Sequence, residues 1–104
     1  MTDVRAVTLH HFTDRARKPD TLARELAEIF AARSSAVDGL VRLLVLLSGG
    51  GAGVTVLAEW ASVEAQRAGV AQLYEDSSFD ALRGRLGASQ HDDASVVAVF
   101  EPKA

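Results

Sequence analysis

The fold of this chain is decided by the stretch Val54-Thr55-Val56-Leu57-Ala58-Glu59-Trp60-Ala61-Ser62, which predicts a β-strand leading directly into a helix. Successive side chains of a strand point to opposite faces, so the even-numbered residues of this strand share one face. Neither face is polar before the strand ends, and we expect both to be covered. Ser62 is a favourable helix N-cap, and Glu64 in the first turn suits the helix dipole. The sequence thus places its single Trp at the mouth of a sheet, beside the start of a helix.

The rest of the chain alternates between predicted strands and helices. Runs of β-branched and apolar residues indicate strands, and apolar residues at helical spacing, such as Leu22, Leu26, Ile29 and Phe30, indicate helices. The predicted elements are a strand at 4–12, a helix capped by Asp20 and ending before Ser34, strands at 40–47 and 54–60 joined by a Gly-rich hairpin loop at 48–53, a helix from Ser62 to Leu73, a short helix from Phe79 to Gly87, a loop at 88–93 and a final strand from Ser95 to Phe100.

This order of elements, β-α-β-β-α-(α)-β, is typical of the α+β class and of the ferredoxin-like fold. In that fold a four-stranded antiparallel sheet carries its helices on one face. The 104 residues suit a single domain spanning 1–104. Because both faces of the predicted strands are apolar, helices on one face would leave a large apolar surface uncovered. We therefore expect a homodimer in which the two sheet faces meet, with one pocket in each subunit.

Composition excludes several classes of partner. The formal net charge is −3, which provides no general attraction to nucleic acid or to an anionic membrane. The longest apolar run, residues 43–47, is too short to span a bilayer. The sequence has no Cys, and residues 1–5 lack the apolar run of a signal peptide, so we expect a cytoplasmic protein.

The segment Trp60-Ala61-Ser62-Val63-Glu64 resembles the Trp-x-Ser-x-Glu signature of antibiotic-biosynthesis monooxygenase domains. The segment Ser78-Phe79-x-x-Leu82 and the closing stretch at 96–102 fit the same family, and the likeness covers essentially the whole chain. The resemblance implies a dimeric α+β barrel. It also implies an activity found in some members, the oxidation of polyketide phenols or anthrones to quinones with O2 and without a cofactor. Other members degrade haem, isomerise substrates or have no known activity.

The resemblance carries over to individual positions with some departures. Trp60 matches a Trp that often lines the family's pocket, and Arg83 falls near an Arg of the quinone-forming members. Val56 stands where those members favour Asn, and Gln66 stands where they carry an aromatic residue. Val70 replaces the His that haem degradation needs, so that activity is disfavoured.

Further candidates follow from residue chemistry. On the face shared with Thr8 and Phe12, His10 would enter the pocket as a general base, although a shift of one residue in register would bring His11 there instead. The two neighbouring His side chains point to opposite faces and cannot bind one metal ion, so we predict no metal site. Tyr74 could donate a hydrogen bond to a substrate carbonyl. Each candidate also has a plain structural interpretation, namely a hydrogen-bonded His and amphipathic packing of Tyr74.

Two functions remain open at this point. The first is a cofactor-free oxygenase that acts on a small aromatic substrate, with His10 as base, Trp60 as wall and Arg83 as anion anchor. The second is a homodimer of the same fold that binds a small molecule or has a structural role without catalysis. Val56 and Gln66 favour the second function, because they depart from the family's polar and aromatic pattern. For Trp60 the plain alternative is burial in the core or the dimer interface, and for Arg83 it is a solvated helix surface.

Overall fold

The computed structural model describes residues 4–14, 18–48, 53–75, 77–87 and 89–102, and most of the predicted hairpin loop lies outside these ranges. Its elements are β1 (Ala6–Phe12), α1 (Pro19–Arg33), a 3-10 turn (Ser34–Ala36), β2 (Leu40–Leu47), β3 (Val54–Trp60), α2 (Val63–Tyr74), α3 (Ser77–Arg83) and β4 (Gln90–Ser95). Within the described ranges no helix is long and apolar enough to cross a membrane.

The four strands form one antiparallel sheet in the order β2-β3-β1-β4. This arrangement, with the helices against one face, confirms the predicted α+β, ferredoxin-like fold. His10 of β1 lies opposite Val56 of β3 on one side and opposite His91 of β4 on the other. Residues paired in this way share a face of the sheet, so the register decides which side chains meet beneath the helices.

The core lies between the sheet and the helices. The even-numbered residues of β3 are all buried, and Trp60 at its end is 0% exposed. The apolar stripe predicted for α1 supplies Leu22, Leu26 and Phe30 to the same core, since these residues recur on one face of the helix. The alternating burial of residues along β3 therefore shows that the helices cover one face of this strand.

The two predicted helix caps have different outcomes. Ser62 is confirmed as the N-cap of α2, because its Oγ accepts a hydrogen bond from the backbone N–H of Ala65 at 3.0 Å. The prediction that Asp20 caps α1 is wrong. That helix begins at Pro19 after the N-cap residue Lys18, whose side chain makes no capping bond. Proline suits the first helical position because its φ is preset and no N–H is lost there, and Asp20 adds negative charge to the first turn.

The predicted last strand at 95–100 is wrong, and so is the loop predicted at 88–93. The strand β4 lies at Gln90–Ser95, and all six residues are exposed. An edge strand is held by its backbone pairing with one neighbour, and charged side chains on it discourage pairing with other chains. Apolar character is therefore a poor guide to β4. The Val-rich segment follows the strand instead, where Val97 is 98% and Phe100 is 88% exposed.

The opposite face of the sheet, which we call the outer face, carries no helix within the described chain. Pairing places Leu44 of β2 opposite Leu57 of β3 on this face. Leu9 and Leu46 are 37% and 40% exposed there, and Val7 is only partly buried. The apolar outer face expected from the sequence is thus present and open in the single chain.

Candidate functional site

The candidate site is centred on His10, at the middle of β1 on the face covered by the helices. Its ring stacks on Phe12 with a centroid distance of 4.1 Å and lies 4.9 Å from the ring of Tyr74 on α2. His10 and Phe12 are two positions apart in β1, so their side chains point to the same face of the sheet. His11 points to the outer face, where its Nδ1 lies 3.0 Å from the Oγ1 of Thr55. The register therefore selects His10 as the imidazole that faces the helices.

Aromatic rings from four elements pack together at this imidazole, where Phe12 and Tyr74 contact the His10 ring and two further rings contact Tyr74. We call the group formed by His10, Phe12, Phe30, Tyr74 and Phe79 the aromatic cluster. The ring of Tyr74 lies 5.7 Å from Phe30 and 5.2 Å from Phe79, both in edge-on geometry. Phe12, Phe30 and Phe79 are buried. An apolar aromatic environment of this kind favours flat aromatic ligands and weakens the solvation of any charge that forms inside it.

Two buried polar atoms in this cluster have no hydrogen-bond partner within the described part of the chain. They are Nδ1 of His10 and the hydroxyl oxygen of Tyr74. Burial, followed by the charge of His91, lowers the pKa of His10 to about 4, so the imidazole is neutral at pH 7. Burial also raises the pKa of Tyr74, so the phenol keeps its proton and can donate it in a hydrogen bond. A neutral base and an unused donor thus lie side by side.

A hydrogen-bond hub lies next to the aromatic cluster, at the buried hydroxyl of Thr8. The indole Nε1 of Trp60 and the amide Nε2 of Gln66 each donate to Thr8 Oγ1 at 3.1 Å. Gln66 also donates to the carbonyl oxygen of Val7 at 2.7 Å. Thr8 in turn donates to Oδ1 of Asp93 at 3.1 Å. The hub ties β1, β3, β4 and α2 together, so it holds the site in a fixed geometry.

Trp60 and Val56 lie in the core next to the site, and both are 0% exposed. Gly69 of α2 approaches the indole so closely that a Cβ there would lie 2.3 Å from Cζ3 of Trp60. The structure therefore places the indole under the helix, with its N–H used by Thr8, rather than along an open wall. Among the sequence-derived candidates, Thr8, His10, Phe12, Trp60, Gln66 and Tyr74 come together, with Val56 beneath them.

Arg83 lies outside this group. Its side chain is 52% exposed, and it forms an ion pair with Asp80 at 2.7 Å. It also donates to the backbone carbonyl of Tyr74. Arg83 therefore contacts the end of α2 but does not reach the aromatic cluster itself.

Sequence reasoning missed two residues that the sheet brings to the site, His91 and Asp93 of β4. The His91 ring lies 5.1 Å from that of His10, and its Nε2 lies 2.9 Å from Oδ1 of Asp93. Their spacing of two, which places both side chains on one face of a strand, was the available signal. The polar composition of this segment predicts a loop, which hides that spacing. In the described ranges, no three His, Asp or Glu side chains are grouped so that they could hold a metal ion.

Solved structures that share this fold include the following three. The monooxygenase ActVA-Orf6 of Streptomyces coelicolor, solved in complex with nanaomycin D, has a TM-score of 0.69 and 22% identity, covering 96% of this chain and 94% of its own. SnoaB, a cofactor-independent oxygenase from Streptomyces nogalater, has a TM-score of 0.64 and 19% identity, covering 96% of this chain and 100% of its own. A dimeric ferredoxin-like protein from an uncultured marine organism has a TM-score of 0.69 and 17% identity, covering 99% and 97%.

No protein-family model matches the sequence, and no curated protein matches it. The likeness therefore lies in the fold, which this chain shares with those two oxygenases and with a putative antibiotic biosynthesis monooxygenase from Deinococcus radiodurans that has a TM-score of 0.72 and 16% identity, covering 95% of this chain and 99% of its own. This confirms the resemblance seen in the sequence at the level of architecture.

Proposed function

We propose, from a fold shared with antibiotic-biosynthesis monooxygenases, that this chain is a homodimeric oxygenase that oxidises a small phenol or anthrone with O2 and without a cofactor. One observation carries the proposal: a neutral imidazole, His10, and an unused phenol donor, Tyr74, lie together inside an aromatic cluster. Both groups have the protonation state that such a reaction needs at neutral pH.

In the proposed reaction His10 removes a proton from the acidic O–H or C–H bond of the substrate. The electron pair stays on the substrate, and Tyr74 donates a hydrogen bond to the oxygen on which negative charge develops. The electron-rich anion then reduces O2. For an anthrone, the methylene carbon gains one oxygen atom as a carbonyl. The second oxygen atom leaves as water, which takes the remaining methylene hydrogen and one proton from solvent in place of the proton that His10 removed. The residues supply a base, a donor and an apolar enclosure, and O2 is the oxidant.

The other predicted site residues hold His10 and its surroundings in place in this proposal. Thr8 and Gln66 hold the Trp60 indole in place, so the floor beside His10 is rigid. Phe12 stacks on the imidazole and excludes water from one side of it. Arg83 would stabilise a substrate anion only if its side chain left Asp80, so in the resting state we assign it to the support of α2.

The homodimer in this proposal forms through the two outer faces. Two cavities lie against this face in the single chain, one of about 730 Å³ beside Leu9 and one of about 850 Å³ beside Val7 and the segment 96–99. Apolar side chains bordering hollows of this size favour a covering protein surface over water. A dimeric protein with the same fold supports this assignment. We also expect the protein to act in the cytoplasm, since a sequence without Cys forms no disulfide bond that would need an oxidising compartment.

A second candidate function is a non-catalytic dimer of the same fold that binds a small molecule or has a structural role. The burial of Trp60 and Val56 favours it, because two residues expected to line a pocket are closed off in the core. The two candidates differ in whether the protein consumes oxygen.

An oxygen electrode tests the proposal on a panel of anthrones and polyhydroxylated naphthalenes. We expect substrate-dependent oxygen uptake, lowered by His10→Ala about 100-fold or more, as for loss of a general base. The matched control is His11→Ala, which removes the same side chain from the outer face; the elution volume of this variant on size exclusion shows whether it is still dimeric. Equal oxygen uptake by the wild-type protein and His10→Ala would remove the catalytic assignment. An inactive wild-type protein across the panel favours the second function.

A further inference from the structure

His91 and Asp93 lie on the same side of the sheet as His10, at the edge that the helices leave open. His91 is directly opposite His10 in the sheet register, and the two ring centroids are 5.1 Å apart at an angle of 79°. The side chains of His91 and Asp93 are 36% and 52% exposed, whereas His10 is mostly enclosed. His91 thus stands between the enclosed ring of His10 and solvent, and Asp93 contacts it from along the same strand.

The hydrogen-bond hub determines where the hydrogens of Thr8 and His91 lie. Trp60 and Gln66 have only N–H donors to offer Thr8, so the hydroxyl hydrogen of Thr8 must go to Oδ1 of Asp93. Oδ1 of Asp93 therefore acts as an acceptor. The same oxygen accepts from Nε2 of His91, which must then carry a hydrogen. In neutral His91 the lone pair consequently lies on Nδ1.

We propose that His91, oriented by Asp93, is the solvent end of a proton route that begins at His10. The inference rests on the proposed function for the source of the proton. The substrate gives its proton to His10 and keeps the bonding electron pair. The resulting imidazolium passes a proton through one water molecule to Nδ1 of His91, because the two rings share no direct hydrogen bond. His91, its positive charge stabilised by Asp93, releases the proton to solvent, and both rings return to the neutral state.

His10 needs such an exit. Its low pKa, caused by burial and by the charge of His91, means that a proton does not stay on this ring at neutral pH. Tyr74 of α2, whose ring also faces His10, is already protonated and cannot accept the proton. Asp93 is the charged group that contacts His91. The exposed imidazole is thus the acceptor through which turnover can continue.

Oxygen uptake in weakly buffered solution tests the route with His91→Ala and Asp93→Asn. We expect both variants to lose about tenfold in turnover, less than the loss of a general base because water partly replaces the exit group. Added imidazole should restore His91→Ala in proportion to its concentration. The control is Asp92→Asn, which removes the neighbouring carboxylate from the outer face and should change turnover less than about twofold. Full turnover of His91→Ala in weak buffer, or a loss that imidazole does not restore, overturns the route.

An NMR titration of the His10 ring provides a measurement that needs no turnover. We expect His91→Ala to raise the pKa of His10, because the charge facing the ring is removed, and His11→Ala to leave it unchanged. If the wild-type protein consumes no oxygen, the proposed function fails while this titration still decides whether the two rings are coupled. An unchanged pKa of His10 in His91→Ala overturns the coupling and the route with it.

Discussion

Gly69 is the residue at which α2 meets the ring of Trp60, and replacing it with Ala tests the packing that positions the whole site. A Cβ at this position would lie 2.3 Å from Cζ3 and 2.6 Å from Cη2 of Trp60, and 3.0 Å from Cγ1 of Val37. Carbon atoms in contact are ordinarily about 3.5–4.0 Å apart, so the ring or the helix must move by more than about 1 Å. Trp60 is fully enclosed and its N–H is bound to Thr8, so this movement disturbs the hub.

The cost follows from three contributions. Overpacking of a core costs about 1–3 kcal/mol, and weakening the buried Trp60–Thr8 hydrogen bond adds about 1 kcal/mol. Ala recovers about 1 kcal/mol relative to Gly through its helix propensity. The net free energy of unfolding should fall by about 2 kcal/mol, which lowers the Tm of a domain of this size by about 8–16 °C.

Thermal melting of Gly69→Ala at fixed protein concentration measures this loss, because the proposed dimerisation would make the Tm depend on concentration. Gly84→Ala is the matched control, since a Cβ there meets no atom within 4 Å. It should change the free energy of unfolding by no more than about 1 kcal/mol, and in the stabilising direction if it changes. A Gly69→Ala protein that melts at or above the wild-type Tm would falsify the placement of the indole beneath α2.

Three further predictions concern other parts of the structure. Arg85 forms ion pairs with the fully buried carboxylate of Asp14 at 3.0 Å and with Glu25 at 2.9 Å, so Arg85→Met should lower the midpoint of urea unfolding more than Arg83→Met on the surface does. Equal losses would contradict this assignment. Leu46→Asp should raise the dissociation constant of the proposed dimer more than about tenfold, as seen by light scattering, because it places a charge on the outer face. An unaltered dimer would mean that another surface is used. The pKa of His10 falls from 6.5 to about 4 on folding, so its contribution to stability is complete above pH 6.5 and is lost as the pH falls through about 4. His10→Gln should therefore lose less Tm than the wild-type protein between pH 7 and pH 4, and identical pH profiles would argue against a buried neutral imidazole.

The sequence predicts which residues of one strand share a face, and to that extent the candidate site was predictable. Alternation along β1 places Thr8, His10 and Phe12 on one face, and that face does meet the helices. The choice between His10 and His11 was not predictable, because it depends on the register against β3 and β4. His91 and Asp93 were missed for a related reason. Pairing at the sheet edge joins residues about 80 positions apart, and no local pattern reports it.

The sequence by itself determined the order of the elements and the fold class. Periods of two and of 3.6, the Ser62 cap and the position of the strand-ending Trp60 are local properties, and they survive folding unchanged. Only the tertiary structure decided that β4 is the polar segment Gln90–Ser95 and that Trp60 lies under Gly69. It also decided which imidazole faces the helices. These features depend on which surfaces cover one another, and burial is a property of two or more segments together rather than of any one stretch of chain.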